Sequence, residues 1–207
     1  MRVDPSALSR LDEYCQLLRK WNRSFNFISR KDVDRLVPRH ILDSLSIAPY
    51  LHGSTVLDIG SGAGLPGIPL AIVHGDISFE LCDRAERRIR FLQQMRMTLE
   101  LDNVTCVLAD LKRDMTRHRG EGPSQDDGLP LGSYTTITAR GVAQPVEVWR
   151  LAEPLLAAGG RVLCFLSTQG AQVAADINAD ERFRAQLIEV KVPRLTQTHE
   201  ILSLERP

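Results

Sequence analysis

Short apolar runs alternate with segments of helical period along most of the chain after residue 54, and this alternation limits the possible folds more than any other feature. The runs are rich in β-branched residues and read TVLDI, ISFELC, VTCVL, YTTIT and GRVLCFLS. Strands that alternate with helices predict a mostly parallel sheet covered on both faces. Two further runs, LIEVKVPRL and THEILSLER, follow without an intervening helix, which predicts an antiparallel edge strand. The seven runs together predict an α/β, Rossmann-like fold.

The residues before the first run have helical character. We therefore divide the chain into a helical N-terminal extension, residues 1–53, packed on an α/β domain, residues 54–207. Asp4 and Pro5 suit the cap and the first position of a helix over residues 4–24. We predict its apolar face from Leu8, Leu11, Cys15, Leu18 and Phe25.

The composition excludes several classes of protein. The chain has 207 residues, of which 43% are hydrophobic and 25% are charged, and its formal net charge is zero, as in an ordinary globular domain. No apolar run reaches the length of a membrane span, and the first residues lack an apolar signal core, which predicts a cytoplasmic protein. The four cysteines form no C-x-x-C pair, so we expect buried, reduced thiols and no metal site. Residues 117–133 are rich in Gly, Pro, Asp and Ser, and predict a flexible loop.

A glycine-rich segment, LDIGSGAGLPGIPLA at residues 57–71, follows the first strand, where open parallel sheets bind ligands. Its spacing, D-x-G-x-G-x-G, differs from the G-x-G-x-x-G that brings a pyrophosphate to a helix N-terminus. Asp58 would repel an anion and attract an ammonium group. S-adenosylmethionine has an ammonium group, a sulfonium and no phosphate, so the spacing favours it over NAD. The predicted cofactor-binding residues of this segment are Asp58, Gly60, Ser61, Gly62, Gly64 and Leu65.

Acidic residues follow the next two strands. Asp83 ends the second strand, where a carboxylate can accept hydrogen bonds from both ribose hydroxyls. Ala109 and Asp110 follow the third strand, where the adenine amino group would lie. Each acid alone is more typical of a helix cap, but together with the glycine loop they favour the cofactor. The fourth strand has no Asn/Asp-Pro-Pro-aromatic motif for an exocyclic amine and no following cysteine for a covalent mechanism, and a ring nitrogen that already bears a lone pair needs neither.

Five motifs, RKWNRSFNFIS, RHILDSL, VLDIGSGAGLPGIPLAI, RRIRFLQ and ITARGVA, occur in an order that resembles the bacterial glucose-inhibited division protein B family over nearly the whole chain. The resemblance implies a class I S-adenosylmethionine-dependent methyltransferase. Its implied target is guanine-N7 in the 530 loop of the decoding region of 16S ribosomal RNA, and its product S-adenosylhomocysteine. It further implies that Arg140 faces the target, orients the substrate and contacts the cofactor. No general base is expected, because N7 attacks through a free lone pair.

Basic residues are clustered although the net charge is zero. Residues 1–40 hold nine Lys or Arg against five acids, and further clusters lie at residues 84–96 and 112–119. Such clusters can follow a phosphate backbone, but solvated helix faces are an equal alternative on composition alone. The predicted RNA-contacting residues are Arg39, His40, Arg87, Arg88, Lys112 and Arg113. The aromatic residues of the first cluster, Trp21, Phe25 and Phe27, are predicted to be core rather than base-stacking residues.

The predicted partner is 16S ribosomal RNA or the small ribosomal subunit, bound by a monomer. FLSTQG after the fifth strand lacks a lysine that the family usually has there, which leaves the RNA contact open. Two other functions remain: a small-molecule methyltransferase and a non-catalytic assembly or division factor. His40, Asp43 and Ser44 share a helix face. We interpret them as a polar cluster near the cofactor loop rather than a hydrolase triad, because no sharp strand-to-helix turn presents Ser44.

Overall fold

The computed structural model describes residues 4–111, 129–166, 182–196 and 198–207. In this part of the chain seven strands form one sheet in the order β3-β2-β1-β4-β5-β7-β6. The strands are β1 (Thr55–Ile59), β2 (Ser78–Asp83), β3 (Val104–Leu108), β4 (Tyr134–Arg140), β5 (Leu156–Phe165), β6 (Arg184–Val190) and β7 (His199–Glu205). Strands β1 to β5 pair in parallel, and β7 pairs antiparallel to both β5 and β6. The predicted mostly parallel sheet with antiparallel pairing at one edge is confirmed, with β7 one position in from the outermost strand.

Helices precede and flank the sheet. The described α-helices are α1 (Pro5–Phe25), α2 (Asp43–Leu45), α3 (Gly67–Val73), α4 (Glu86–Thr98) and α5 (Pro145–Ala152). Short 3₁₀ turns lie at Arg30–Asp32, Ala48–Tyr50 and Glu153–Leu155, and a π-helical turn at Val37–Leu42 runs directly into α2. Asp4 caps α1 as predicted, since its side chain accepts a hydrogen bond from the Ser6 backbone at 2.8 Å.

The sheet separates two apolar layers, and the alternation of side chains along β1 shows the division. Val56 packs in the layer that contains α1, α3 and α4, whereas Leu57 and Ile59 pack in the layer of α5. The first layer joins Leu18 of the N-terminal extension to Phe91 of α4. The extension therefore shares the core of the α/β domain instead of forming a core of its own.

The buried face of α1 differs from the predicted one. Its buried residues are Ala7, Leu11, Tyr14, Cys15, Leu18 and Asn22. Leu8, predicted to be buried, is 54% exposed. Successive side chains on an α-helix are about 100° apart, so Leu8 points away from the face that Ala7 buries. The aromatic prediction is confirmed for Trp21 and Phe27, whose rings pack against the core at 5.4 and 4.6 Å from the buried ring of Phe91. Phe25 is half-buried and is not among the residues packed on that core.

Several predictions concern segments at the limits of the described residues. Lys112, Arg113 and most of the predicted flexible loop at 117–133 lie outside them. At the end of that loop, Gly132 and Ser133 donate backbone hydrogen bonds to the carbonyls of Pro154 and Leu155. Gly132 and Ser133 are therefore held against the 3₁₀ turn that precedes β5.

The described residues also bear on the excluded classes of protein. None of their helices is long and apolar enough to cross a membrane. They contain no group of three or more His, Cys, Asp or Glu residues arranged to hold a metal ion. The four cysteines are free thiols: Cys15, Cys82 and Cys164 are buried, and Cys106 is half-buried. Burial raises the pKa of each thiol to about 11 or 12, so all four are protonated at neutral pH.

Candidate active site

A cavity of about 310 Å³ opens at the carboxyl ends of β1 to β4, beside the point where the strand order reverses. Its volume lies at the lower end of the range for small-molecule sites. The lining residues are Ile59, Gly60, Cys82, Asp83, Arg84, Arg88, Ala109, Asp110, Leu111, Gly141, Val142 and Leu151. Four predicted cofactor-binding residues, Gly60, Asp83, Ala109 and Asp110, are thus brought to one place from three different strand ends.

The cofactor loop, residues 60–65, is a tight turn whose backbone groups bond to one another and to β2. Gly64 N donates to Ser61 O at 2.7 Å, and Ser61 N donates to Cys82 O at 2.9 Å. Gly64 has a φ of +83°, and a Cβ there would lie 2.4 Å from a side-chain carbon of Ile68. The turn therefore requires glycine at this position. Ser61, Gly64 and Leu65 are buried beneath the turn and do not line the cavity, whereas Gly62 is half-buried.

Asp58 supports the loop from beneath and does not line the cavity, and its predicted contact with the cofactor stays a prediction. The carboxylate is fully buried; it accepts hydrogen bonds from Thr138 Oγ1 at 2.8 Å and from Gly67 N at 3.2 Å. It thereby joins β1 to β4 and to the first turn of α3. Burial raises the pKa of this carboxyl to about 6, which leaves it ionised at neutral pH.

Asp83 lies in the cavity wall with its carboxylate almost fully enclosed. One oxygen accepts a hydrogen bond from Ala85 N at 2.9 Å, and the other accepts one from Gly62 N at 3.0 Å. The second oxygen also pairs with Arg88 at 3.2 Å. Arg88, predicted to contact RNA, therefore belongs to the wall of the cofactor cavity. Its neighbour Arg87 is exposed and lies 5.7 Å above the ring of Phe25.

Arg140 ends β4 and is held by the N-terminal extension. Its Nη2 lies 2.7 Å from Asp43 Oδ2, and it donates to the carbonyl of Arg39 at 3.0 Å. The other oxygen of Asp43 accepts a hydrogen bond from Nδ1 of His199 on β7 at 2.5 Å. The side chain of Arg140 is only 21% exposed, so it is not an ordinary surface arginine. Arg140 does not line the cavity, and its predicted cofactor contact stays a prediction.

His40 completes this cluster as a neutral group. Burial, with a contribution from Arg140, lowers its pKa to about 4. Its Nδ1 lies 3.3 Å from Nη2 of Arg140, and a neutral ring can accept that hydrogen bond. Ser44 is fully buried within α2, away from any strand-to-helix turn, which agrees with the rejection of a hydrolase triad. The predicted polar cluster exists, but it attaches the extension to β4 and β7 rather than to the cofactor loop.

Comparison with known proteins decides the family. A family model, GidB, described as rRNA small subunit methyltransferase G, matches residues 7–202. The chain belongs to this family. A ribosomal RNA small subunit methyltransferase G of Methylococcus capsulatus is 43% identical over 154 residues, 74% of this chain and 68% of the relative. Another, of Chromohalobacter salexigens, is 34% identical over 180 residues, 87% of this chain and 79% of the relative. The resemblance seen in the sequence motifs is confirmed.

Solved structures support the fold of this family member. A SAM-dependent methyltransferase of Aquifex aeolicus has a TM-score of 0.57 at 16% identity, over 83% of this chain and 92% of that one. A SAM-dependent O-methyltransferase of Thermotoga maritima has a TM-score of 0.56 at 18% identity, over 80% and 65% respectively. At such identities the likeness shows the fold alone. The predicted class I methyltransferase fold is confirmed.

Two residues that the sequence reasoning missed complete the site of this methyltransferase family member. Tyr14 is fully buried on α1 and its hydroxyl donates to the carbonyl of Ala63 in the cofactor loop at 2.6 Å. The sequence could have indicated Tyr14, because it lies on the apolar face of α1 between Leu11 and Leu18 and carries a polar hydroxyl there. His199 carried no such signal, because only the pairing of β7 with β5 brings it to the end of β4.

Proposed function

We propose that this enzyme transfers a methyl group from S-adenosylmethionine to guanine-N7 in the 16S ribosomal RNA of the small subunit, within the 530 loop. The observation that carries the proposal is the cavity at the strand ends, walled by Gly60, Asp83 and Asp110, in a chain of the small-subunit rRNA methyltransferase family. Arg140 ends the neighbouring strand, and the two residues after it line the same cavity.

The residues of the cavity fit an adenosine group. The carboxylate of Asp83 can accept hydrogen bonds from ribose hydroxyls, and that of Asp110 can accept one from the adenine amino group. The wall beside them has no room for a side chain at Gly60, since a Cβ there would lie 2.7 Å from a side-chain carbon of Val142. When bound, S-adenosylmethionine supplies a methyl group made electrophilic by its sulfonium. The task left to the protein is to place the acceptor in line with it.

The surroundings of Arg140 support a positioning role in this reaction. Its Nη2 is engaged by Asp43, Arg39 and His40, whereas its Nη1 is buried without a hydrogen-bond partner among the described residues. Contact with both O6 and N7 of guanine would block the nucleophile. We therefore assign Nη1 to O6 alone or to a flanking phosphate. The absence of a proton on N7 agrees with a mechanism that uses no general base.

The RNA is proposed to lie across the N-terminal extension and the strand ends. Arg39 and His40 are half-buried in the N-terminal extension and Arg87 is exposed on α4, whereas Arg88 at the cavity wall can contact either the cofactor or the RNA. Mass mapping of 16S ribosomal RNA from cells with and without the protein tests this function. An unchanged methylation pattern would favour a small-molecule methyltransferase or a non-catalytic assembly or division factor. Action as a cytoplasmic monomer remains a prediction, and light scattering in solution tests the oligomeric state.

The cofactor assignment predicts that the protein binds S-adenosylmethionine more tightly than NAD, and that Asp83→Ala weakens this binding by about 1–3 kcal/mol, the cost of leaving polar partners unmet. Calorimetry with both ligands measures this. Glu86→Ala is the matched control, because Glu86 pairs with Arg90 on the exposed face of α4, at 3.1 Å. Tighter binding of NAD, or an equal effect of both variants, would contradict the assignment.

A further inference from the structure

We propose that Tyr14 is a positioning residue for the cofactor loop, so that α1 of the N-terminal extension sets the affinity for S-adenosylmethionine. The hydroxyl of Tyr14 donates to the carbonyl of Ala63 at 2.6 Å, across 49 residues of sequence. Tyr14 is fully buried and Ala63 is 5% exposed. The inference rests on the cofactor of the proposed function and adds a residue that lies outside the cavity.

The hydrogen bond acts on a peptide group at the centre of the loop. The carbonyl of Ala63 and the N–H of Gly64 belong to one planar peptide. That same N–H donates to Ser61 O at 2.7 Å. Because the plane is rigid, fixing the carbonyl also fixes the direction of the N–H and hence the closure of the turn. Without the phenol the carbonyl would be buried and unpaired, which favours rotation of the peptide out of its place.

The loop depends on such outside anchors because its glycines have no side chains to restrict their backbone. The α/β domain supplies anchors near the two ends, where Ser61 Oγ donates to the carbonyl of Asp58 at 2.8 Å and Gly67 N donates to its carboxylate. Between them, Gly62 N donates to Asp83 in the cavity wall. The Gly64 N–H fixed by Tyr14 donates to the carbonyl of Ser61, which belongs to the same planar peptide as the Gly62 N–H, so a rotation at Ala63–Gly64 would displace the N–H that orients Asp83. The extension therefore acts on the cofactor through the backbone, without touching it.

Tyr14→Phe tests the proposal, because it removes the hydroxyl and keeps the packed ring. We expect the affinity for S-adenosylhomocysteine, measured by calorimetry, to fall roughly fivefold to thirtyfold. The KM for S-adenosylmethionine should rise by a similar factor, while kcat at saturating cofactor and the KM for small-subunit particles change by less than about twofold. A residue that only stabilised the fold would not separate these constants.

Tyr134→Phe is the matched control. It removes another 2.6 Å hydrogen bond of a mostly buried tyrosine, from Tyr134 to Glu80, at the opposite end of β4 from the cavity. We expect it to leave cofactor affinity unchanged, so any loss of melting temperature that both variants share reports stability alone. Equal affinity of Tyr14→Phe and the wild type, or equal losses in the two variants, would overturn the proposal.

A measurement on the wild type keeps the test decisive even if Tyr14→Phe does not fold. Coupling between two sites is reciprocal, so a helix that favours cofactor binding must itself be stabilised by it. Adding S-adenosylhomocysteine should slow amide hydrogen exchange in the middle of α1, and unchanged exchange there would also overturn the proposal. A wild type that binds neither S-adenosylmethionine nor its product would instead refute the proposed function, which separates the two failures.

Discussion

Arg140→Ala is expected to lower methyl transfer to small-subunit RNA by about tenfold to a thousandfold, the scale of a lost positioning contact. We expect the upper part of this range, because FLSTQG after β5 lacks the family's usual lysine and the proposed mechanism then leaves more of the orientation to Arg140. Affinity for S-adenosylmethionine should stay near the wild-type value, since Arg140 does not line the cavity. The measurement is single-turnover methylation at saturating cofactor, well below the melting temperature of each variant.

The ion pair with Asp43 determines which further variants are informative. Alanine leaves Asp43 with only His199 as a charged or polar side-chain partner among the contacts described, so some loss of stability accompanies the loss of rate. Arg140→Lys keeps a cation beside Asp43 but loses the planar fork, and we expect it to restore stability and only part of the rate. Arg161→Ala is a control, because Arg161 pairs with Glu205 at 3.2 Å near the other end of the sheet. Wild-type rates in Arg140→Ala would contradict the positioning role.

The sequence predicted the parts of the site that local patterns determine. The end of a strand and the glycines after it are neighbours in the chain, so Gly60 and Asp83 could be assigned to the cavity from spacing alone. The role of Asp58 was also accessible, because side chains alternate along a strand and Asp58 shares the face of Val56, toward α3. The charge of Asp58 alone did not indicate this role beneath the loop.

Contacts between distant elements could not be predicted in the same way. Asp43 meets His199 across 156 residues, and the meeting depends on a π-helical turn and on β7 lying beside β5. No periodicity in the sequence indicates either feature. Leu8 shows that a local pattern can also be misleading. It fits the apolar pattern of α1, but the buried face of the helix begins at Ala7, and the surface against which α1 packs determines which of the two residues is buried.

Asp43→Asn is expected to destabilise the protein by about 3–5 kcal/mol, the usual cost of removing one partner from a buried ion pair. The side chain of Asp43 is 3% exposed, and both of its oxygens are engaged, one by Arg140 and one by His199. Asparagine keeps the volume but cannot neutralise Arg140, and its amide nitrogen cannot accept either bond. Urea unfolding gives the free energy, and single-turnover methylation gives the rate.

The functional consequence of Asp43→Asn follows from the ion pair between Asp43 and Arg140. With its carboxylate gone, Arg140 loses its only charged partner among the described contacts, so we expect methyl transfer to fall toward the rate of Arg140→Ala. Affinity for S-adenosylhomocysteine should remain, because Asp43 does not line the cavity. Asp32→Asn is the matched control in the same segment, because Asp32 forms a partly exposed ion pair with Arg39 at 3.7 Å. This substitution should lower the free energy of unfolding by less than about 1 kcal/mol. Equal stability and equal rates in the two variants would show that the link from the extension to Arg140 carries no function.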